Sequence, residues 1–375
     1  FMACTSEPEK LQQPQIEPLR IGADRLLEEP FYSWIKGKRV GLITNHTGVG
    51  SSLRPVTELL SENPEVHLTA LFGPEHGISG ESQAGSKIAD GPKVFSLYGN
   101  RRAPDTQMLE EVDLLIFDIQ DAGSRFYTYI STMYESMKSA AKHGKPFFVL
   151  DRPNPIGGTK VEGPVLEEGH ESFVGVFPIP IRHGMTVGEL ARLFNSESGL
   201  ELELQVVPLL NWDRSDWSRT GLQWIAPSPN MPSPVTATLY PGFCLIEGTN
   251  LSEGRGTTRP FQLVGAPWLN ATVLASRLNA AGLPGVFFRP QRFTPMFSKH
   301  AELSCAGIQI HVIDQSVFEP VSAALRFFQE AVRLHPDEME FRTGSFDRLI
   351  GNGWVREALA DGDEAATLEA RWRDG

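Results

Sequence analysis

Short apolar runs, each cut off by turn-forming polar residues, constrain this chain more than any other feature. The clearest is Asp113-Leu114-Leu115-Ile116-Phe117-Asp118-Ile119-Gln120-Asp121, apolar until acids close it. Such a run reads as a strand buried on both faces, the pattern of a parallel sheet. Residues 38–45, 66–71 and 145–150 read the same way, with helical patterns over 52–61 and 130–143 between them. Strand, helix, strand at this spacing is the repeating unit of a parallel sheet flanked by helices. Residues 94–99 form a further short strand or an insertion beside it.

A parallel sheet brings the C-terminal ends of its strands to one edge, where open α/β sheets keep their ligands. The four runs end in Asn45-His46, in Gly73-Pro74-Glu75-His76-Gly77, in Asp118 to Tyr129 and in Asp151 to Asn154. Pro74 lacks an N–H and Gly77 invites positive φ, so the strand stops and Glu75 and His76 are delivered to a loop. The expected cleft draws on Asn45, Asp118, Arg125, Tyr127, Asp151 and Asn154 around that pair. Later loops add Glu162, His183 and Asn230, the last in the proline-dense Pro227-Ser228-Pro229-Asn230-Met231-Pro232. Residues 247–257 pack Glu247, Asn250, Glu253 and Arg255 among three glycines, a density that suggests backbone approaching a ligand. Trp212, Trp217 and Trp224 read equally as core or as sugar-stacking platforms.

With 375 residues, 41% of them apolar, the chain has material for one large domain or two unequal ones. The expected division is a tether over 1–20, a domain built on the parallel sheet over 21–258 and a smaller α+β domain over 259–375. The last carries helices over 270–281 and 316–334, a strand over 307–312 and a charged helix near 362–373. A net charge of −12 with no basic stripe argues against nucleic acid as a partner. Gly48-Val49-Gly50 lacks the spacing of a dinucleotide fingerprint, and no HExxH or CxxC is present, so neither cofactor nor metal is expected. Phe1-Met2-Ala3-Cys4, followed by a polar Pro/Gln stretch, reads as the end of a bacterial lipoprotein signal. The expectation is an exported protein that meets the membrane only through a lipid on Cys4.

The long motifs Gly41-Leu42-Ile43-Thr44-Asn45, Phe72-Gly73-Pro74-Glu75-His76-Gly77, Asp118-Ile119-Gln120-Asp121, Arg125-Phe126-Tyr127-Thr128-Tyr129, Asp151-Arg152-Pro153-Asn154-Pro155, Pro227 to Pro232 and Glu247-Gly248-Thr249-Asn250 stand in the order of one family. In these the chain resembles the YbbC-like bacterial family, associated with peptidoglycan exo-β-N-acetylmuramidases of the NamZ type. The resemblance runs from about Ile21 into the C-terminal region and departs from the family pattern at Glu81. It implies a Rossmann-like domain without a nucleotide, a C-terminal auxiliary domain, and release of N-acetylmuramic acid from the non-reducing end of cell-wall fragments. It carries a catalytic role to Glu75.

Glycoside hydrolysis needs an acid for the leaving oxygen and usually a second group on the other face of the sugar. Glu75 is the candidate acid. His76 and His183 are proton-transfer candidates or hydrogen-bonded loop histidines. The second group is one of Asp118, Asp121, Glu162, Glu247 and Glu253, or the substrate's own 2-acetamido carbonyl. A muramic sugar also carries a lactyl carboxylate, which calls for a fork of donors from Arg125, Arg182 or Arg255. Arg125 comes first, because it follows the strongest strand and adjoins Phe126, Tyr127 and Tyr129; pairing with Asp118 or Asp121 is its alternative. A non-catalytic sugar- or peptide-binding lipoprotein would keep the same cleft without needing Glu75, and a metal hydrolase lacks ligand spacing.

Overall fold

The computed structural model describes residues 17–78 and 91–373; Cys4 and Glu81 lie outside the described residues. Strands β1 (Arg39–Thr44), β2 (His67–Gly73), β3 (Lys93–Ser96), β4 (Leu114–Asp118) and β5 (Phe147–Leu150) follow in chain order. A short antiparallel pair, β6 (Glu162–Val165) and β7 (Pro180–Arg182), precedes β8 (Leu204–Val207). The central sheet runs β3-β2-β1-β4-β5-β8 and every pairing in it is parallel. Its order reverses between β1 and β4, so the loops after β1, β2 and β4 open onto one edge at the switch.

Alternation along each strand sorts the core into two layers. Leu114 and Ile116 of β4 pack with Leu26, Ile35 and Leu60, whereas Leu115 and Phe117 face the larger cluster on the other side. That larger cluster continues into the C-terminal part without a break, taking in Phe243, Val264, Ile308 and Phe327. There β9 (Leu263–Ala266), β10 (Val286–Phe293) and β11 (Cys305–Val312) form an antiparallel sheet in the order β10-β11-β9. The helices Ala271–Ala280 and Pro320–Leu334 pack beside it.

Prolines set several element boundaries that the apolar pattern alone places elsewhere. The helix expected over 52–61 begins at Val56, because Pro55 holds extended backbone (φ −60°, ψ 138°) as its N-cap. The helix expected over 316–334 begins at Pro320, where a proline costs no hydrogen bond. The run 113–121 leaves the sheet at Asp118, where its partner β1 ends in register at Thr44. Thr186 and Glu189 form the reciprocal capping box that opens the helix Val187–Glu197.

The helix Pro234–Phe243 is not readable in the sequence, since it carries Pro234 and Pro241. It joins the two parts of the chain. A Cβ on Gly242 would lie 1.9 Å from the Pro320 carbonyl oxygen, so this helix presses its backbone on the start of Pro320–Leu334. Alanine for glycine ordinarily stabilises a helix interior by about 0.5–1 kcal/mol. Gly242→Ala should instead destabilise by about 1–3 kcal/mol through overpacking, read as a lower urea midpoint. A gain in stability would show that the two helices are not in this contact.

Candidate active site

β2 stops at Gly73, and Pro74 to Gly77 close a tight turn in which the Gly77 N–H donates to the Pro74 carbonyl at 2.9 Å. His76 and Gly77 both take left-handed backbone, with φ of 70° and 72°. For a histidine that conformation is strained, and it persists only where the surroundings impose it. The Thr128 hydroxyl donates to Glu75 Oε2 at 2.7 Å. Thr128 is the N-cap residue of the helix Tyr129–Lys142, yet its side chain makes no cap bond. Its hydroxyl goes to Glu75 instead, setting the carboxylate beside the positive end of a 14-residue helix.

Glu75 and His76 line a cleft of about 180 Å³ together with Tyr127, Thr128, Tyr129, Asn230, Glu247 and Arg255. Its wall is a chain of edge-to-face rings. Tyr129 meets Tyr127 at 5.0 Å, Tyr127 meets Tyr240 at 5.6 Å, and Tyr240 meets Phe261 at 4.9 Å between centroids. Arg255 then lies 5.3 Å over the Phe261 ring. Burial pushes the phenols of Tyr127, Tyr129 and Tyr240 upward, and the thiol of Cys244 with them. These groups are therefore neutral walls and hydrogen-bond donors, not nucleophiles. Burial also lowers His76, helped by the charges of Arg255 and His46 and opposed by Glu75. Its imidazole is neutral at neutral pH.

The far end of the aromatic chain carries a second set of charges. Arg255 Nη2 donates to Glu247 Oε1 at 2.7 Å, and its Nε lies 3.5 Å from Glu253 Oε1. Burial would lower the Arg255 guanidinium, but Glu247 outweighs it and raises the group above its ordinary value. Lys299 sits 3.0 Å from Glu253 Oε2, behind the cleft. Two acids and two bases thus balance in one cluster, of which Glu247 and Arg255 reach the cavity. Among the described residues, no group of three or more His, Cys, Asp or Glu is placed to hold a metal ion.

Residues 40–235 match the family model described as exo-beta-N-acetylmuramidase NamZ, N-terminal, and residues 238–375 match its C-terminal counterpart. The chain belongs to the NamZ exo-β-N-acetylmuramidase family. It is 49% identical to the peptidoglycan beta-N-acetylmuramidase NamZ of Bacillus subtilis (strain 168), over 98% of this chain and 90% of that protein. A crystal structure of a DUF1343 family protein from Bacteroides fragilis NCTC 9343 aligns with a TM-score of 0.90 and 41% identity, covering 96% of each chain. A second such protein from the same organism gives 0.77 and 32%, over 96% of this chain and 95% of that one.

In this NamZ-family chain several expected site residues hold the scaffold and do not line the cleft. Arg125 is the main correction. It is 1% exposed, and its terminal nitrogens donate to four carbonyls, those of Pro164, Ile179, Leu349 and Ile350, at 2.8–3.0 Å. With no carboxylate against it, burial pushes this guanidinium down to about 9. Its Nε has no partner but is fully buried, so no donor is open to a substrate. Arg182 is likewise buried, donating to the Ile156 carbonyl at 2.6 Å.

The buried acids each have one oxygen or both engaged in the scaffold, while Asp118 Oδ2, Asp121 Oδ1 and Glu162 Oε2 have no partner. Asp118 accepts from Arg152 Nε at 2.7 Å, and neither is open to the cleft. Asp151 accepts from Gly188 N and the Thr186 hydroxyl, fixing the start of Val187–Glu197. Asp121 faces His183 Nε2 at 3.5 Å, while His183 Nδ1 accepts from Met185 N. Glu162 accepts from Ser322 N at 2.8 Å at the start of Pro320–Leu334. Glu253 is 2% exposed between Arg255 and Lys299.

Three amides complete the account. Asn45 is turned onto Thr47, Asn154 bonds Met185 O and Ile156 N, and Asn250 brackets Glu338 and Glu340. None of the three tryptophans lines the cleft. Trp217 and Trp224 pack edge to face, and Trp224 Nε1 donates to Met231 O, bracing the proline-rich loop from behind. Tyr240 lies in the helix Pro234–Phe243, which its prolines hide from a sequence reading; Cys244 follows that helix directly, and Phe261 stands 18 residues beyond it.

Two outcomes follow from the buried charges. Arg125→Met takes the guanidinium from four buried carbonyls, of which that of Ile179 keeps a bond from Leu166 N at 3.3 Å; the loss should cost about 3 kcal/mol or more, read as a fall in unfolding free energy. A fall in activity with no fall in stability would return Arg125 to the cleft. For Glu162, burial raises the folded carboxyl from 4.5 to about 7, against the Ser322 bond and the Arg182 charge. Its neutral form contributes stability fully below the unfolded value, and that contribution is lost as pH rises through about 7. Glu162→Gln should therefore flatten the decline of thermal midpoint between about pH 5 and about pH 8. Parallel profiles for the two proteins would place Glu162 in contact with water.

Proposed function

We propose that this chain hydrolyses the β-glycosidic bond of a non-reducing terminal N-acetylmuramic acid in peptidoglycan fragments, with Glu75 as general acid. The observation that carries the mechanism is that one small cleft brings together two half-buried carboxylates, Glu75 and Glu247, which stand 172 residues apart in the chain. Two carboxyl groups flanking a sugar are the common equipment of glycosidases. Glu75 keeps one oxygen on Thr128 and has the other for the leaving oxygen. Glu247, fixed by Arg255, is the second group. Neutral His76, next to Glu75, serves as a hydrogen-bonding partner for the sugar, and the tyrosine wall excludes water from one side.

The lactyl carboxylate needs a charged donor, and Arg255 is the cleft-lining arginine among the described residues. It takes the role that Arg125 cannot fill. Localisation follows from the substrate: peptidoglycan lies outside the cytoplasmic membrane, and Ala3-Cys4 before a polar stretch fits a lipid-anchored envelope protein. Incorporation of labelled palmitate by the full precursor, abolished in Cys4→Ser, is the expected result; equal labelling of both would remove the anchor.

Glu75→Gln keeps the shape of the side chain without the proton and should lower kcat by ~10²–10⁴-fold on the MurNAc–GlcNAc disaccharide, whose sugar leaving group cannot depart without a proton. Near-normal turnover would sink the assignment. Glu247→Gln should lose a comparable factor; if it does not, the substrate's own 2-acetamido carbonyl is the second group. Arg255→Lys retains a charge beside Glu247 but not the planar fork, so preference for the muramide over the glucosaminide should fall about tenfold. An unchanged preference would move lactyl recognition elsewhere.

A further inference from the structure

The proline-dense loop 227–232 is fixed from several sides. His46 Nε2 donates to the Ala226 carbonyl at 2.7 Å, and the Tyr129 hydroxyl donates to the Pro227 carbonyl at 2.5 Å. Met231 N donates to the Ser228 carbonyl at 2.9 Å, closing a turn around Pro229 and Asn230. Trp224 Nε1 donates to the Met231 carbonyl at 3.1 Å, and the Met231 side chain is buried. Pro227, Pro229 and Pro232 restrict φ between these ties. Asn230 stands in this turn, half-buried, and lines the cleft. The amides of Asn45, Asn154 and Asn250 are bonded within the protein, whereas that of Asn230 bonds no other described residue.

The same ties fix which end of the cleft the loop serves. The aromatic wall starts at Tyr129, passes through Tyr127, Tyr240 and Phe261, and ends under Arg255. The loop is bonded to Tyr129, the neighbour of the Thr128 that holds Glu75, so it belongs to the Glu75 end. We infer that Asn230 reads the 2-acetamido group of the terminal muramic sugar. This rests on the muramidase reading and deepens it. In that sugar the acetamido group on C2 lies one carbon from the bond that Glu75 protonates, while the lactyl group on O3 reaches away towards Arg255. The chemistry agrees with this placement. An uncharged side-chain amide offers a donor and an acceptor, which suit the C=O and N–H of an acetamido group. The lactyl carboxylate calls for a charged donor instead. Because prolines and hydrogen bonds already order the loop, little conformational freedom is lost when the sugar binds.

The test compares two competitive inhibitors that share the lactyl group. One is N-acetylmuramic acid; the other is 3-O-carboxyethyl-glucose, with a hydroxyl in place of the acetamido group. Each is titrated against GlcNAc release from the MurNAc–GlcNAc disaccharide. The wild type should bind N-acetylmuramic acid the more tightly, and Asn230→Ala should narrow that gap about tenfold by weakening N-acetylmuramic acid alone. An unchanged gap overturns the inference. Equal weakening of both sugars also overturns it, by showing that Asn230 only shapes the loop. A wild-type chain that releases no GlcNAc from the disaccharide would instead overturn the muramidase reading beneath it.

Discussion

A parallel strand can be followed by its neighbour only after the chain has crossed back along the whole sheet. All six strands of the central sheet therefore end on one edge, and whatever closes those ends is gathered there. The turn Pro74 to Gly77 and the entry to the helix Tyr129–Lys142 meet at that edge. Thr128, which would ordinarily cap its own helix, instead hydrogen-bonds Glu75. The local cost to the helix end is accepted because the helix is stabilised along its length by packing, with Ile130, Met133, Met137 and Ala140 all buried.

The second half of the cleft comes from the other part of the chain, and here one continuous core matters. The helix Pro234–Phe243 is pressed against Pro320–Leu334, and the rings of Tyr240 and Phe261 extend the tyrosine wall of the sheet domain towards Arg255. Arg125 adds a polar tie. Its guanidinium holds carbonyls of β6, of the residue before β7 and of the helix Thr343–Ile350 at once. A cation buried on carbonyls alone is expensive to desolvate, so its value lies in the geometry it imposes on segments that would otherwise leave acceptors unpaired.

Charged residues of the same type consequently have opposite uses. Asp118, Asp151 and Glu162 are buried and engaged in fixing loops and helix starts, whereas Glu75 and Glu247 keep part of their surface open to the cavity. Nothing in the local sequence separates the two classes. Asp118 closes the most conspicuous apolar run in the chain and is fully buried on Arg152, while Glu247 sits in a short 3₁₀ turn with little pattern around it.

The sequence by itself determined the parallel sheet, because continuous apolar runs separated by helical patterns have few other ways to bury their surface. It also determined that Glu75 and His76 leave β2 on a turn, because Pro74 and Gly77 forbid anything else. The long motifs placed the chain in its family. What only the tertiary structure decided is which polar residues face the cavity and which are spent inside. That depends on contacts between segments far apart in the chain, such as Arg125 with Leu349 and Ile350, or Glu162 with Ser322. Spacing along the chain says nothing of such partners, since a buried charge is placed by whichever donors and acceptors the fold leaves unsatisfied around it.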